Sequence, residues 1–212
     1  MSKQALLDEY ILSHCTTESP ILKELSRQTH LEVLRSRMLS GHLQGQILKL
    51  ICGMLLPKRI LEIGSYTGYS AICFAQGSGE DCIVDTIEIE DELETRILAI
   101  IEKAGLSNRI NLHIGDSLQI IPTLDHTYDL VFIDGDKREY LAYYNLVFDK
   151  VRKGGYILAD NVLWDGKVVQ PLSPLDGQTK GILEFNDFVT QDSRVECAIL
   201  PLRDGIFMIK KL

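Results

Sequence analysis

The chain has 212 residues, of which 45% are hydrophobic and 25% are charged. This composition is typical of a globular protein with one core, and it excludes a chain that is disordered throughout. With 30 acidic and 22 basic residues, the formal net charge is −8. That charge argues against a wide nucleic-acid groove and against binding to an anionic membrane surface.

The sequence predicts neither a membrane segment nor an export signal. The longest apolar run, residues 47–56, has ten residues and contains Lys49, whereas a membrane-spanning helix needs about 20 apolar residues. The first residues lack the basic patch and apolar stretch of a signal peptide. Five cysteines without CxxC spacing indicate buried free thiols in a reducing compartment, which predicts a cytoplasmic protein.

The first quarter of the chain is predicted to be helical. Apolar residues at helical spacing indicate a helix over residues 2–15, and a third helix over 43–56 is expected to stop at Pro57. Between them, Ser19 followed by Pro20 is typical of a helix start. This second helix has an apolar stripe that we expect to cover the core: Leu22, Leu25, Leu31 and Leu34.

After Pro57, short apolar runs alternate with helical patterns. Strands are predicted over residues 59–63, 82–87, 110–114, 128–133 and 155–159. Helices are predicted between them over residues 69–76, 92–104, 117–121 and 140–151. This alternation predicts right-handed βαβ crossovers and a doubly wound, mainly parallel α/β sheet with helices on both faces.

The end of the chain has a different pattern. Residues 195–200 and 206–210 are joined by a short segment that contains Asp204 and Gly205, which favours an antiparallel hairpin at the end of the sheet. Residues 166–177 contain several glycines and prolines and little periodicity. We expect them to form a mobile loop over a site.

Ligands of doubly wound sheets bind beyond the carboxyl ends of the strands, so the residues that follow each strand are candidates. Gly64 and Gly68 follow the first strand, at a spacing that is not the GxGxxG of dinucleotide folds. They indicate either a tight turn or a backbone that approaches a ligand closely. Glu88, twenty positions after Gly68, is either a surface glutamate or the acid that binds a ribose diol. Together these features favour an adenosine-containing cofactor.

Asp116 follows the third strand and precedes Ser117. It has two interpretations that do not exclude each other. Its carboxylate could accept a hydrogen bond from an adenine edge, or it could cap the next helix.

Acidic and amide side chains follow the fourth and fifth strands. Asp134 ends the fourth, and Asp160 and Asn161 end the fifth. Unpaired carboxylates would be costly to desolvate there, and three oxygen donors suit Mg²⁺, Mn²⁺ or Ca²⁺ better than Zn²⁺. The alternative is helix capping with a salt bridge to Lys137. Because three such residues lie on two strand ends, we favour a metal site.

Several segments together resemble the cation-dependent, S-adenosylmethionine-dependent O-methyltransferases of the caffeoyl-CoA and catechol O-methyltransferase family. The resemblance runs from about Met38 to the C-terminus and is carried by residues 62–70, 132–140, 154–155, 160–166 and 204–205. It implies one Rossmann-like class I methyltransferase domain with a seven-stranded sheet. Residues 1–57 would form a helical cap, and residues 58–212 the cofactor- and metal-binding core.

The resemblance also implies roles for individual residues. Asp134, Asp160 and Asn161 would bind the cation, and Lys137 would lie beside the acceptor hydroxyl, forming the catalytic group with Asp134. Contacts to the S-adenosylmethionine cofactor would come from a further set: Ser40, Glu62, Gly64, Ser65, Ser70, Glu88, Asp116 and Ser117. Gly135 replaces an alanine of the family pattern, which we expect to be harmless.

We therefore expect methyl transfer to a hydroxyl oxygen of a catechol-like or hydroxycinnamoyl-type phenol. The cation would lower the pKa of that hydroxyl, and Lys137 would take the proton or steady the oxyanion. Trp164, Tyr143 and Tyr144 are candidate walls of an aromatic pocket, although core packing is the favoured interpretation of the two tyrosines. Family members are commonly dimers, so a homodimer is expected by analogy.

A second function stays open, namely O-methylation of 5-hydroxyuridine in tRNA. Basic residues in the N-terminal region could face RNA: Lys23, Arg27, Arg35, Arg37 and Lys49. Solvated helix surfaces are the favoured explanation of these residues. A non-catalytic cofactor-binding module and a dehydrogenase are disfavoured, the first by the complete set of acids with Lys137 and the second by the glycine spacing.

Overall fold

Three helices precede the sheet. The computed structural model describes residues 3–212, with α1 at Lys3–Ser13, α2 at Pro20–Glu32 and α3 at Gly41–Leu55. The predicted start of the first helix at Ser2 lies outside the described residues. α3 ends as predicted before Pro57, because Leu56 adopts a left-handed conformation with φ 47° and breaks the helix.

The N-terminal helices differ in how far they are packed. None of the residues of α1, all of which are described, is buried. In α2, Leu22 and Leu25 are buried, but Leu31 is 70% exposed and Leu34, beyond the end of the helix, is 88% exposed. The predicted core-covering stripe is therefore wrong for the last two leucines, because Leu31 lies on the opposite side of α2 from the buried Leu22 and Leu34 lies beyond the end of the helix.

The strands described for residues 3–212 form one seven-stranded sheet. Its strands are β1 Arg59–Ile63, β2 Ile83–Glu88, β3 Ile110–Ile114, β4 Tyr128–Ile133, β5 Val151–Ala159, β6 Val195–Leu200 and β7 Ile206–Lys211. Their order is β3-β2-β1-β4-β5-β7-β6. The first five are parallel, and β7 is antiparallel to β5 and β6. The predicted fold class is thus confirmed. The strand order reverses between β1 and β4, which is where such sheets bind ligands.

Helices cover both faces of the sheet. They are α4 Tyr69–Gly77, α5 Glu94–Lys103, α6 Ser117–Thr123, α7 Tyr140–Phe148 and α8 Gly177–Gln191. Alternate strand residues face opposite sides, so Ile60 packs in the cluster that contains residues of α3 and α4, and Leu61 in the cluster with α7 and α8. β1 is buried on both faces, as expected of a central parallel strand.

Two boundaries differ from the prediction by more than two residues. The helix predicted over 140–151 ends at Phe148, and β5 begins at Val151, because the chain turns at Asp149 and Lys150. α8 was not predicted at all. Its sequence nevertheless carries the signals of a helix, with Asp176 accepting a hydrogen bond from the Thr179 N–H at its start. Its buried apolar residues also recur at helical spacing: Ile182, Phe185 and Val189.

The cysteines are free, as predicted. Cys52, Cys73 and Cys82 are buried and Cys15 is half-buried, but Cys197 is exposed because it lies on the edge strand β6. The predicted burial is therefore wrong for Cys197. Of the helices described for residues 3–212, none is long and apolar enough to cross a membrane. The cytoplasmic location stays a prediction.

A buried polar network stabilises the sheet away from the strand ends. Asp85, which is 2% exposed, accepts hydrogen bonds from Arg59 at 3.0 Å, Asn111 at 2.9 Å and Tyr128 at 3.1 Å. Burial alone would raise the pKa of Asp85. The hydrogen bonds from His113 and Asn111 and the charge of Arg59 outweigh burial, so the pKa is lowered from 3.8 to about 2.

This network makes folding stability depend on pH. Because the pKa of Asp85 is lower in the folded state, its carboxylate stabilises the fold above pH 4, and that contribution is lost as the pH falls towards 2. We expect Asp85→Asn to lower the free energy of unfolding by about 2 kcal/mol at pH 6. In urea unfolding at a series of pH values, the difference from wild type should shrink below pH 4. A difference that does not change with pH would contradict this account.

Candidate active site

The carboxyl ends of five parallel strands lie side by side. In each case a backbone N–H just past one strand donates to a carbonyl of the neighbouring strand at 2.8–2.9 Å: Gly64 to Ile87, Gly115 to Glu88, Asp134 to Ile63 and Asp160 to Ile133. The residues that follow the strands are thus brought to one edge of the sheet, as the sequence predicts.

A tight turn leads from β1 into α4. Gly64 and Gly68 adopt φ angles of 95° and 86°, which L-amino acids with side chains rarely reach. A Cβ atom on Gly64 would lie 2.3 Å from the backbone oxygen of Asp134. The glycine therefore lets this turn lie directly against the end of β4. The tight-turn interpretation is confirmed, and the close approach to a ligand stays a prediction.

A cavity lies at this turn. Its lining comes from the segment before α3, from the turn itself and from the end of β4: Met38, Leu39, Ser40, Gly64, Ser65, Tyr66, Tyr69, Ser70 and Asp134. Five of these are predicted site residues. The other four were not predicted, although Tyr66 and Tyr69 stand within the glycine segment and Leu39 precedes Ser40.

Two buried polar atoms near the turn are unpaired. Glu62 is fully buried within β1, and the Thr86 hydroxyl donates to its Oε2 at 2.5 Å. Its Oε1 has no hydrogen-bond partner among the described residues, and neither has the Ser65 hydroxyl oxygen. Burial raises the pKa of Glu62 to about 7. Leaving a buried polar atom unpaired costs about 1–3 kcal/mol, so a ligand that pairs with these atoms would be stabilised.

Glu88 is held against the same turn. It is the last residue of β2 and 6% exposed, so the surface interpretation is wrong. Its carboxylate accepts hydrogen bonds from the backbone N–H of Tyr66 at 2.6 Å and of Glu90 at 2.9 Å. Burial raises its pKa, although these hydrogen bonds oppose the effect. Each carboxylate oxygen keeps a lone pair that could accept from a ligand hydroxyl.

Asp116 and Ser117 lie at the neighbouring strand end. The Asp116 carboxylate accepts a hydrogen bond from the Leu118 N–H at 2.8 Å, which caps α6, and Ser117 is buried. The capping interpretation is confirmed, and the adenine contact stays a prediction.

On the other side of the turn, Asp134 contacts a buried lysine. Lys137 is 6% exposed, and its Nζ donates to Asp134 Oδ1 at 2.7 Å and contacts the Tyr140 hydroxyl. The salt bridge foreseen as the alternative to a metal is therefore present. Burial raises the pKa of Asp134 to about 7; Lys137 opposes this change, and the nearby charge of Asp160 adds to it. The two acids are close enough for the charge of one to affect the other.

Asp160 is fixed through both carboxylate oxygens. It is 3% exposed, and its Oδ1 accepts from the Asn161 N–H at 2.8 Å while its Oδ2 accepts from Gln44 Nε2 at 2.6 Å. Asn161 has a φ of 57°, a conformation that asparagine tolerates better than most residues.

The chemistry of these donors fits a hard cation. Among residues 3–212, no group of three or more His, Cys, Asp or Glu side chains could hold a metal ion. The predicted set, however, consists of two carboxylates and the Asn161 amide. Two neighbouring acids with only oxygen donors suit Mg²⁺ or a similar ion, whose preferred ligands are oxygens.

Aromatic side chains lie around Lys137. The Trp164 ring is half-buried, with Lys137 Nζ and Lys167 Nζ each 6.0 Å from its centroid. Tyr143 is 4% exposed and packs in the core, as does the fully buried Tyr144, which agrees with the favoured interpretation of the two tyrosines.

The glycine at position 135 is explained by this packing. A Cβ atom there would lie 2.9 Å from Cε2 of Tyr143. In this chain the tyrosine ring fills the space that an alanine methyl group would need.

Comparisons with known proteins point to one family. A family model described as O-methyltransferase matches residues 12–212. The chain is 34% identical to "Probable caffeoyl-CoA O-methyltransferase 2" of Dictyostelium discoideum, over 96% of this chain and 90% of that protein. It is 32% identical to the caffeoyl-CoA O-methyltransferase of Stellaria longipes, over 97% and 90% of the two chains.

Solved structures agree with these relatives. The O-methyltransferase TomG from Streptomyces achromogenes, in complex with SAM, superposes with a TM-score of 0.92 at 28% identity, covering 100% of this chain and 99% of that one. The O-methyltransferase from Bacillus cereus, in complex with SAH, gives a TM-score of 0.90 at 28% identity, covering 98% and 97%. The sequence-based family resemblance is confirmed.

The close contact at Gly64 yields a stability test. We expect Gly64→Ala to lower the free energy of unfolding by at least about 2 kcal/mol, because the methyl group would clash with Asp134 and the φ angle is unfavourable for alanine. Gly79→Ala is the matched control, since a Cβ atom there meets nothing within 4 Å. Both can be measured by chemical unfolding. Equal stability of the two variants would refute this role of Gly64.

Proposed function

The chain belongs to the O-methyltransferase family, and from that premise we propose that it transfers a methyl group from S-adenosylmethionine to a hydroxyl oxygen of a small phenol. The acceptor would be catechol-like or of the hydroxycinnamoyl type, activated by a divalent cation. The observation that carries this proposal is the pair of acids at the adjacent ends of β4 and β5, Asp134 and Asp160, with the buried Lys137 bonded to Asp134.

The cofactor would occupy the edge formed by β1, β2 and β3. We assign to it the eight residues expected from the family resemblance: Ser40, Glu62, Gly64, Ser65, Ser70, Glu88, Asp116 and Ser117. Four of them line the cavity, and the unpaired atoms of Glu62 and Ser65 are the kind that a polar ligand satisfies. Glu88, whose carboxylate oxygens each accept one backbone hydrogen bond, would use its remaining lone pairs to accept from ribose hydroxyls. S-adenosylmethionine supplies an electrophilic methyl group on a sulfonium.

The cation would be held by Asp134, Asp160 and Asn161, with Mg²⁺ the first candidate and Mn²⁺ and Ca²⁺ the others. When bound, it lowers the pKa of a hydroxyl that it contacts, as it does for water. Lys137 is held beside Asp134 and Tyr140 by direct contacts, so its Nζ lies next to Asp134, one of the proposed cation ligands. There it would stabilise a negatively charged acceptor oxygen or exchange a proton with it.

A flat aromatic acceptor suits the surroundings of Lys137. The half-buried Trp164 ring lies near Lys137 and offers a stacking surface. Excluding water between this ring and the acids would strengthen the electrostatic interactions on the acceptor oxygen. These features support a small phenol as substrate.

The tRNA alternative has less support. Of the five basic residues that could face RNA, four are exposed: Lys23, Arg27, Arg35 and Arg37. Their exposure agrees equally well with ordinary solvated helix surfaces. The fifth, Lys49, donates to Gln76 at 3.2 Å. RNA methylation, the homodimer and the division of the domain at residue 57 stay predictions.

Removing the cation or its ligands should abolish methyl transfer. We expect EDTA, and separately Asp160→Ala, to lower the turnover of a phenolic acceptor at least about 100-fold, because the acceptor hydroxyl would no longer be activated. Asp187→Ala changes an exposed aspartate on α8 and should leave turnover unchanged. Transfer of a radiolabelled methyl group with Mg²⁺ measures each effect.

The same assay identifies the acceptor class when run with catechols, acyl-CoA phenols, and unmodified and hydroxylated tRNA. Labelling of a phenol supports the proposal, and labelling of hydroxylated tRNA alone would replace it by the alternative. Full activity in EDTA would rule out the role of the cation.

A further inference from the structure

We propose that Gln44 and Arg203 are positioning residues that hold the Asp160 carboxylate in the orientation needed to bind the cation. The inference rests on the proposed function, because it assigns Asp160 to a cation site. The two residues are not predicted from the sequence; Gln44 lies in α3, and Arg203 lies in the turn between β6 and β7.

Gln44 bridges Arg203 and Asp160 in the protein interior. It is 1% exposed; its Nε2 donates to Asp160 Oδ2 at 2.6 Å, and its Oε1 accepts from Arg203 Nη1 at 3.0 Å. An arginine can only donate hydrogen bonds, and an ionised aspartate can only accept them. The amide can therefore satisfy both neighbours in one orientation only, with its oxygen towards Arg203 and its nitrogen towards Asp160.

Arg203 is itself anchored. Its Nη1 also contacts the carbonyl oxygens of Leu39, at 3.2 Å, and Ser40. Its φ of 50° lies in the left-handed region, which few non-glycine residues adopt. The arginine thus links the C-terminal hairpin to the segment that lines the cavity and to the start of α3.

The consequence for Asp160 is a carboxylate that neutral partners fix through both of its oxygens. Oδ1 is held by the Asn161 N–H and Oδ2 by Gln44, and each oxygen retains a second lone pair. A lysine in place of Gln44 would neutralise the carboxylate and compete with a cation. A neutral amide orients the carboxylate without doing so. Partners of this kind, which orient metal ligands, typically contribute about 10- to 100-fold to metal affinity.

The test measures Mn²⁺ affinity in the absence of substrate, by the electron paramagnetic resonance signal of free Mn²⁺. We expect Gln44→Leu to weaken Mn²⁺ binding about 10- to 100-fold relative to wild type. Gln46→Leu, a half-buried glutamine two positions along α3, is the matched control and should bind Mn²⁺ as wild type does. Thermal unfolding of each variant shows whether it is folded.

Two further measurements separate positioning from a purely structural role. In Gln44→Leu, the Mg²⁺ concentration that half-saturates methyl transfer should rise by a similar factor, while kcat at saturating Mg²⁺ should recover. Arg203→Met leaves the Gln44 amide in place but unanchored, so it should weaken Mn²⁺ binding less than Gln44→Leu. It also serves as the second variant if Gln44→Leu does not fold.

The outcomes distinguish the two proposals. If wild type binds no Mn²⁺, the proposed cation site fails and this inference fails with it. If wild type binds Mn²⁺ and the folded Gln44→Leu and Arg203→Met variants bind it equally well, only the positioning role is overturned.

Discussion

Two carboxylates, Asp134 and Asp160, are buried or nearly so at the ends of the adjacent strands β4 and β5. The free-energy cost of burying them determines which groups must surround them. An isolated buried charge is expensive, so each acid needs partners that satisfy it. Asp134 has Lys137, whereas Asp160 has the Asn161 N–H and the Gln44 amide. One partner is charged and the others are neutral. Asp160 therefore differs from an acid in an ordinary buried ion pair, because the groups that donate directly to its oxygens carry no charge.

The sheet topology creates this situation. In a parallel sheet all strand ends point the same way, so polar residues that follow the strands converge without any local sequence signal for their contact. The convergence also needs backbone to pass close to backbone, as between Gly64 and Asp134. The turn after β1 and the position of Asp134 at the end of β4 therefore depend on each other.

This explains what the sequence could and could not predict. Strands, the hairpin and the acids at strand ends follow from local patterns, so their positions were predictable. α8 was missed because the glycine- and proline-containing stretch before it obscured the helix signal that begins at Asp176. Gln44 and Arg203 are separated by 159 residues, and Gln44 and Asp160 by 116, so no periodicity or spacing connects them. Contacts of that range become visible only once the topology places them together.

The electrostatics of the edge also bear on the choice between acceptors. Glu62, Glu88, Asp134 and Asp160 are all buried or nearly so at this edge, with the basic side chains of Lys137 and Arg203 beside them. Because acidic side chains outnumber these basic ones, such an edge favours positively charged ligands over polyanions. Under the proposed function, both a sulfonium and a divalent cation carry the favoured sign, and a small phenol brings no opposing charge before it is deprotonated. An RNA would have to bring its phosphates towards these acids, and no large basic cluster is described at the edge that would offset the repulsion. A phenol is therefore the better physical match.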